Sequence, residues 1–372
     1  MLRIPASLLL VVFLSHQCHG VRDEKTDSFS DWVKEHGKVY PSWEDAVYRE
    51  KVYHQNLLEI EDLNQKHRGR TEFRANQFAD LIPQEFQETV LMPRRSGVDF
   101  PQDSYLDIGH VESLPDSFDW TTQGKVTSVK DQGSVGTCWA FSTVGNIEGQ
   151  WAMQGKPLTN LSVEQIVDCD GTMDKEQKKA DCGVFGGWPY LAYQYVQSVG
   201  GLETWSNYSY CSGIGGGPGS CFPCKAPGYN KTYCGPPVPW CLKNESCAAK
   251  INPQRFVPDL KVTGWKAVSK NETEMAASLV KYGPLSVAMD ASRLQFYHRG
   301  VYNPIDCSKT ALDHAVLVVG FGSEKEIFKT HEYWKVKNSW GLKWGEDGYF
   351  KIQRGEGMCG INTQVTTAQL AT

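Results

Sequence analysis

Between Cys18 and Cys138 this chain of 372 residues has no cysteine, although it carries 12 in all. The contrast predicts separate modules, a cysteine-free N-terminal part and a cysteine-rich remainder. Nor does any stretch beyond the first 20 residues reach the roughly 18 uninterrupted apolar residues of a membrane-crossing helix, so no membrane span is expected. Basic charge is not in surplus either. The net charge is -5, which leaves no electrostatic footprint for nucleic acid. Histidine is missing between Cys211 and Cys247, so the C-x2-C pair Cys221 and Cys224 reads as disulfide chemistry rather than zinc. No metal and no cofactor are expected. What remains is an ordinary globular composition, 40% hydrophobic and 22% charged, on a chain long enough for two domains.

Arg3 precedes an apolar run, Ile4 to Leu14, and a polar segment ending at Gly20. That order predicts a secretory signal peptide over residues 1–20 and a lysosomal or extracellular destination. Cys18 leaves with it; setting Cys138 aside, the rest are even in number and suited to disulfides in an oxidising compartment. Sequons at Asn160, Asn207, Asn230, Asn244 and Asn271 predict glycosylation. Residues 27–88 read as helical. Within them Asp45, Arg49, Tyr53, Asn56, Ile60 and Asn64 recur at three- and four-residue steps and share one helix face, a face with specified polar contacts rather than a plain core stripe. Residues 92–113 read as a linker, and a new module opens at Leu114. Residues 205–252, rich in Gly, Pro, Tyr and Cys, form an insert.

The chemistry centres on Asp131 to Ser142, DQGSVGTCWAFS, which delivers Cys138 to the start of a helical pattern. A helix N-terminus favours the thiolate, the attacking form of the side chain. Gly145 and Gly149 would let that helix pack closely, and Ser162 with Gln165 reads as a capping box for the next. The C-terminal third turns to short β-branched and aromatic runs, GPLSVAMD, AVLVVG, YWKVK and GYFKIQ. His314 in LDHAV opens one run and Asn338 in VKNSWG closes another. A thiol needs a base, and the base needs an orienting partner. Helices first and strands later predict an α+β fold with a cleft between an α-rich and a β-rich lobe.

In DQGSVGTCWAF, GNIEGQW, DHAVLVVGFG, KNSWGLKWGEDGYF and RGEGMCGINT the chain resembles the papain-like cysteine proteases, nearest to their cathepsin F and cathepsin L-like branches. The resemblance implies a two-lobe fold with a β-barrel-like second lobe, a helical inhibitory propeptide over 21–113 and a catalytic domain over 114–372. It implies a zymogen of a cysteine endopeptidase, a monomer, acting on protein and peptide substrates and inhibited by its own propeptide and by cystatin-like proteins. Acid would release the propeptide, with Asp80 and neighbouring carboxylates as candidate switches. By the same resemblance Cys138 is the nucleophile, His314 the general base and later acid, and Asn338 its orienter. Cys138 and His314 would form a thiolate–imidazolium pair. Gln132 would supply an oxyanion donor beside the backbone N–H of Cys138, and Trp340 would shield the Asn338–His314 bond. Gly186 and Gly187 would offer backbone to an extended peptide. Trp188, Pro189, Ala288, Leu312, Ala315 and Gln364 would form the main, apolar specificity pocket, with Gln364 at its floor. Cys307 and Cys359 match a family disulfide.

The departures concern bracing. The first cysteine of the family signature is replaced by Val135, and its usual partner, Cys182, is left over. Cys182 is expected to be recruited by the insert, tying it beside the glycine pair as a rim or exosite. The alternative function, an inactive homologue serving as a binding or inhibitory protein, would be favoured by substitution of Cys138, His314 or Asn338; none is substituted.

Overall fold

The computed structural model describes residues 28–110, 113–213, 227–235, 247, 251–325 and 329–372. The expected signal peptide, Cys221, Cys224, Cys241 and the Asn244 sequon lie outside the described residues.

The N-terminal part consists of α1 (Phe29–Glu35), α2 (Trp43–Lys66), β1 (Thr71–Phe73), α3 (Pro83–Thr89) and β2 (Arg95–Ser96). The Ser42 hydroxyl caps α2 by accepting from the Asp45 N–H, and acidic Glu44 and Asp45 begin a helix that ends at Lys66, matching its dipole. The mixed face of α2 binds backbone. Asn56 Nδ2 donates to the carbonyls of Ala79 and Leu81 at 2.7 and 2.9 Å. Asn64 exchanges hydrogen bonds with Phe73, and Arg49 reaches the Asp80 carbonyl and Glu85. Between these polar anchors Tyr53 and Ile60 are buried. Asp45 alone stays at the exposed helix start, paired with Ser42.

The remainder contains β3 (Phe118–Asp119), α4 (Cys138–Met153), α5 (Glu164–Cys169), β4 (Met173–Asp174), β5 (Lys179–Ala180), α6 (Pro189–Val199), α7 (Lys231–Cys234), β6 (Val262–Ala267) and α8 (Glu272–Tyr282). It continues with β7 (Leu285–Met289), β8 (Tyr297–Tyr302), β9 (Ala311–Leu312), β10 (His314–Lys325), β11 (Thr330–Lys337), β12 (Tyr349–Gln353) and β13 (Gln364–Leu370). Among the described residues the main sheet runs β1-β8-β12-β11-β10-β7-β13-β6, with β3 also on β10. Its path is open rather than closed into a barrel, because β1 and β6 stand at opposite ends. At one end β1 pairs antiparallel with β8; at the other, Tyr105 bridges to Ala267 of β6. Gly300 of β8 has φ +88, and an added Cβ would lie 2.2 Å from the Arg70 carbonyl, so only glycine lets β1 dock there.

Helix α4 is buried between the lobes. A Cβ on Gly145 would lie 3.2 Å from Leu317 of β10, and one on Gly149 2.9 Å from Pro284, so both glycines bring the helix against the β-rich side. One apolar core gathers α4, α5 and α6 around Trp139, Ile147 and Tyr193; the other fills the sheet around Trp334, Trp340 and Phe350. The capping box at α5 is only half made. The Ser162 hydroxyl accepts from the Gln165 N–H at 3.0 Å, but the Gln165 side chain turns away to Gly201 and Glu203. Cys307–Cys359 is a disulfide, and Cys182 is joined to Cys234 of the insert.

Candidate active site

Cys138 is the first residue of α4, and the Ala315 N–H donates to its Sγ at 3.4 Å. The neighbouring His314 begins β10, where its Nε2 lies 2.8 Å from Asn338 Oδ1 at the end of β11. This leaves Nδ1, buried and without a hydrogen-bond partner among the described residues, as the free ring nitrogen. The Trp340 ring stacks on the imidazole at 4.7 Å, and both residues are fully buried, so the His314–Asn338 bond is shut off from water. Two antiparallel strands thus place base and orienter side by side, and the helix start brings the thiol to them.

Gln132 is held from several directions. Its N–H donates to the Ser339 carbonyl at 2.8 Å, its Oε1 accepts from Ser339 Oγ at 2.6 Å, and its carbonyl accepts from the Tyr210 hydroxyl at 2.7 Å. Its Nε2 donates to the carbonyls of Val135 and Val90 at 2.8 and 2.9 Å. Val90 belongs to the N-terminal part. From there the chain fills the cleft: Val90, Leu91 and Met92 are buried, the Met92 N–H donates to the Asp313 carbonyl at 2.8 Å, and Met92 Sδ accepts from the Gly187 N–H at 3.4 Å. Arg94 reaches Asp290 and Asp313 at 3.3 Å each, and β2 pairs with β9. Upstream, Phe78 and Phe86 meet Trp340 edge-on at 5.5 and 5.4 Å, and Gln77 donates to its carbonyl. The N-terminal part therefore covers the base, the thiol and the amide donor together.

The electrostatics of this closed state oppose an ion pair. Burial pushes the Cys138 thiol up to about 12, against a weaker pull from the Ala315 N–H. Burial likewise brings His314 down to about 4, against the Asn338 hydrogen bond. Both shifts favour the neutral forms while the propeptide covers the site. Asp313 is raised to about 7, chiefly by burial.

Trp188, Pro189, Ala288, Leu312 and Ala315 line one small cavity with Gly187, closed on the other side by Met92, Pro93 and Arg95. Gln364 is not in its lining. It lies opposite Ala288, which puts its side chain on the same sheet face as Ala288, and its Nε2 donates to the Val98 carbonyl of the linker at 2.7 Å. A Cβ on Gly186 would press on the Met92 side chain at 3.1 Å. Asn160, Asn207 and Asn271 are exposed, whereas Asn230 is half-buried, caps α7 and leans on Met173. Ser339, Arg94 and Tyr210 were not singled out in the sequence; Ser339, next to Asn338, is the one that proximity to a motif could have flagged.

The sequence pattern described as "Papain family cysteine protease" matches residues 114–369, and that described as "Cathepsin propeptide inhibitor domain (I29)" matches residues 29–86. "Cysteine proteinase 1" of Dictyostelium discoideum is 37% identical over 368 residues, 97% of this chain and 96% of its own length. "Cathepsin F" of Mus musculus is 34% identical over 346 residues, 91% of this chain and 64% of its own length. Among solved structures, the digestive procathepsin L 3 of Tenebrio molitor larval midgut superimposes with a TM-score of 0.72 at 29% identity, covering 92% of this chain and 97% of that one.

Proposed function

The chain belongs to the papain family of cysteine proteases and is a cysteine endopeptidase in proform, and we propose that it cleaves peptide bonds through Cys138, His314 and Asn338. The observation that carries this reading is the 2.8 Å His314–Asn338 bond beneath Trp340, with the Cys138 helix start next to it. Once the propeptide leaves, water re-enters and the thiol proton passes to His314 Nδ1. The thiolate attacks the peptide carbonyl, and the resulting oxyanion takes hydrogen bonds from Gln132 Nε2 and the Cys138 N–H. One such donor is worth roughly 3 kcal/mol in the transition state. His314 then protonates the departing amine, leaving an acyl-enzyme on Cys138. It next takes a proton from water, whose oxygen displaces the thiolate. The main pocket takes an apolar side chain two positions before the scissile bond.

A signal peptide over residues 1–20 and the exposed sequons support passage through the secretory pathway to a lysosome or the outside. The boundary at 113/114 supports release of the mature enzyme by a cut in the linker. The test is acid activation of the purified full-length chain, followed by an epoxide thiol inhibitor. Labelling is expected after propeptide removal and is expected to vanish in Cys138→Ala. An unlabelled wild type after removal overturns the reading.

A further inference from the structure

The loop that presents the nucleophile, Gln132 to Thr137, lacks a covalent tether: Val135 stands within it, and Cys182 is joined to the insert instead. Another group closes this loop. The Tyr210 hydroxyl donates to the Gln132 carbonyl at 2.7 Å and accepts from Thr137 Oγ1 at 2.7 Å, so one phenol oxygen ties the loop's first residue to its last. We propose that Tyr210 is a positioning residue for the oxyanion donor, through which the cysteine-rich insert braces the nucleophile loop. The proposal rests on the role given to Gln132 above.

Tyr210 is itself fixed. It is 4% exposed, meets Phe141 of α4 edge-on at 4.8 Å and stacks on Trp205 at 5.9 Å. The two residues after it are nailed to α5, because the N–H groups of Cys211 and Ser212 and the Ser212 hydroxyl all donate to the buried Glu164 carboxylate, at 3.1, 3.2 and 2.7 Å. The start of the insert is therefore rigid where it touches the loop. From the β-rich lobe Ser339 holds Gln132 at its N–H and its Oε1. Tyr210 supplies the opposing anchor from the α-rich side.

Its removal has a defined effect. Tyr210→Phe leaves a buried carbonyl on Gln132 and a buried hydroxyl on Thr137 without partners, and the loop shifts to satisfy them. Oxyanion donors act over a narrow range of distance, and a misplacement of about 1 Å lowers turnover by about a hundredfold. A partial shift is expected to lower kcat by about tenfold with KM within about twofold.

The experiment compares the acid-activated full-length wild type with Tyr210→Phe, Thr137→Val and Thr137→Ser, each normalised to active sites titrated with the epoxide. Tyr210→Phe and Thr137→Val are expected to lose kcat with KM nearly unchanged, and Thr137→Ser to keep it. Thr137→Val carries the test if Tyr210→Phe does not fold. A labelled wild type with kcat per active site unchanged in both hydroxyl-deleted variants overturns the proposal alone. So does a loss confined to the number of titratable sites. An unlabelled wild type overturns the protease reading and this one with it.

Discussion

The Val90 carbonyl accepts a hydrogen bond from Gln132 Nε2 at 2.9 Å, so propeptide backbone occupies the donor proposed to meet the oxyanion. Inhibition and catalysis then draw on one amide. Gln132→Ala is expected to lower kcat of the mature enzyme by about 10²- to 10³-fold. Latency of the full-length chain at neutral pH should barely change, since Phe78, Phe86 and Met92 still fill the cleft. Steady-state kinetics after activation, beside the residual activity of the proform, check both halves.

Cys138 should be an unreactive thiol in the proform. With its pKa pushed up to about 12 by burial, the thiolate fraction is negligible between pH 5 and 8. Alkylation of Cys138 by iodoacetamide is expected to be slower by at least about a hundredfold before propeptide removal than after it. Mass spectrometry of the tryptic peptide reports the rate.

Acid release is expected from the signs of particular groups. His36 and His67 in the propeptide and His298 on β8 all have lowered pKa values, burial being the largest cause in each. Their stability contribution is present above 6.5 and is lost as pH falls through their folded-state values. Burial would raise Glu72, but hydrogen bonds from Arg74 and Arg299 outweigh it and hold the carboxyl below 4.5. Its contribution is lost lower still. Asp313 runs the other way: raised to about 7, it favours the closed chain in acid and loses that effect as pH rises, so its pairing with Arg94 is not the acid trigger. In a Cys138→Ala background, His36→Gln with His67→Gln should flatten the pH dependence of propeptide release below 6.5. Glu72→Gln should flatten it below 4.5. Limited proteolysis of the propeptide across pH gives the curves.

Phe86 is fully buried and meets Trp340 edge-on. Phe86→Ala should weaken propeptide docking by about 3 kcal/mol, about a hundredfold in the closed-to-open ratio. The expected result is activity leaking from the full-length chain at neutral pH, seen with a fluorogenic peptide.

The parts of this site that sit in short motifs were legible in the sequence, because a helix start, a strand start and a strand end each announce themselves locally. Cys138, His314 and Asn338 are of that kind, and so is the mixed face of α2, whose asparagines bind backbone rather than core. The partner of Cys182 was open among several cysteines until the chain path brought Cys234 to it. Gln364 was expected at a pocket floor; its hydrogen bond to the Val98 carbonyl joins residues far apart in sequence, and no local pattern announces it. Tyr210 touches a carbonyl 78 positions away, and nothing in its own surroundings in sequence announces that contact.

Both margins of the main sheet are occupied by the propeptide and its linker: β1 lies along β8, and the Leu106 N–H donates to the Ala267 carbonyl of β6 at 2.8 Å. Loss of the propeptide and linker would uncover the β8 margin and the Ala267 end of β6. Exposed strand margins recruit strands from other molecules. Arg299 on β8 and Lys266 on β6 set charge along those margins, where it discourages such stacking. The propeptide and its linker thus cover strand margins of the sheet as well as the thiol.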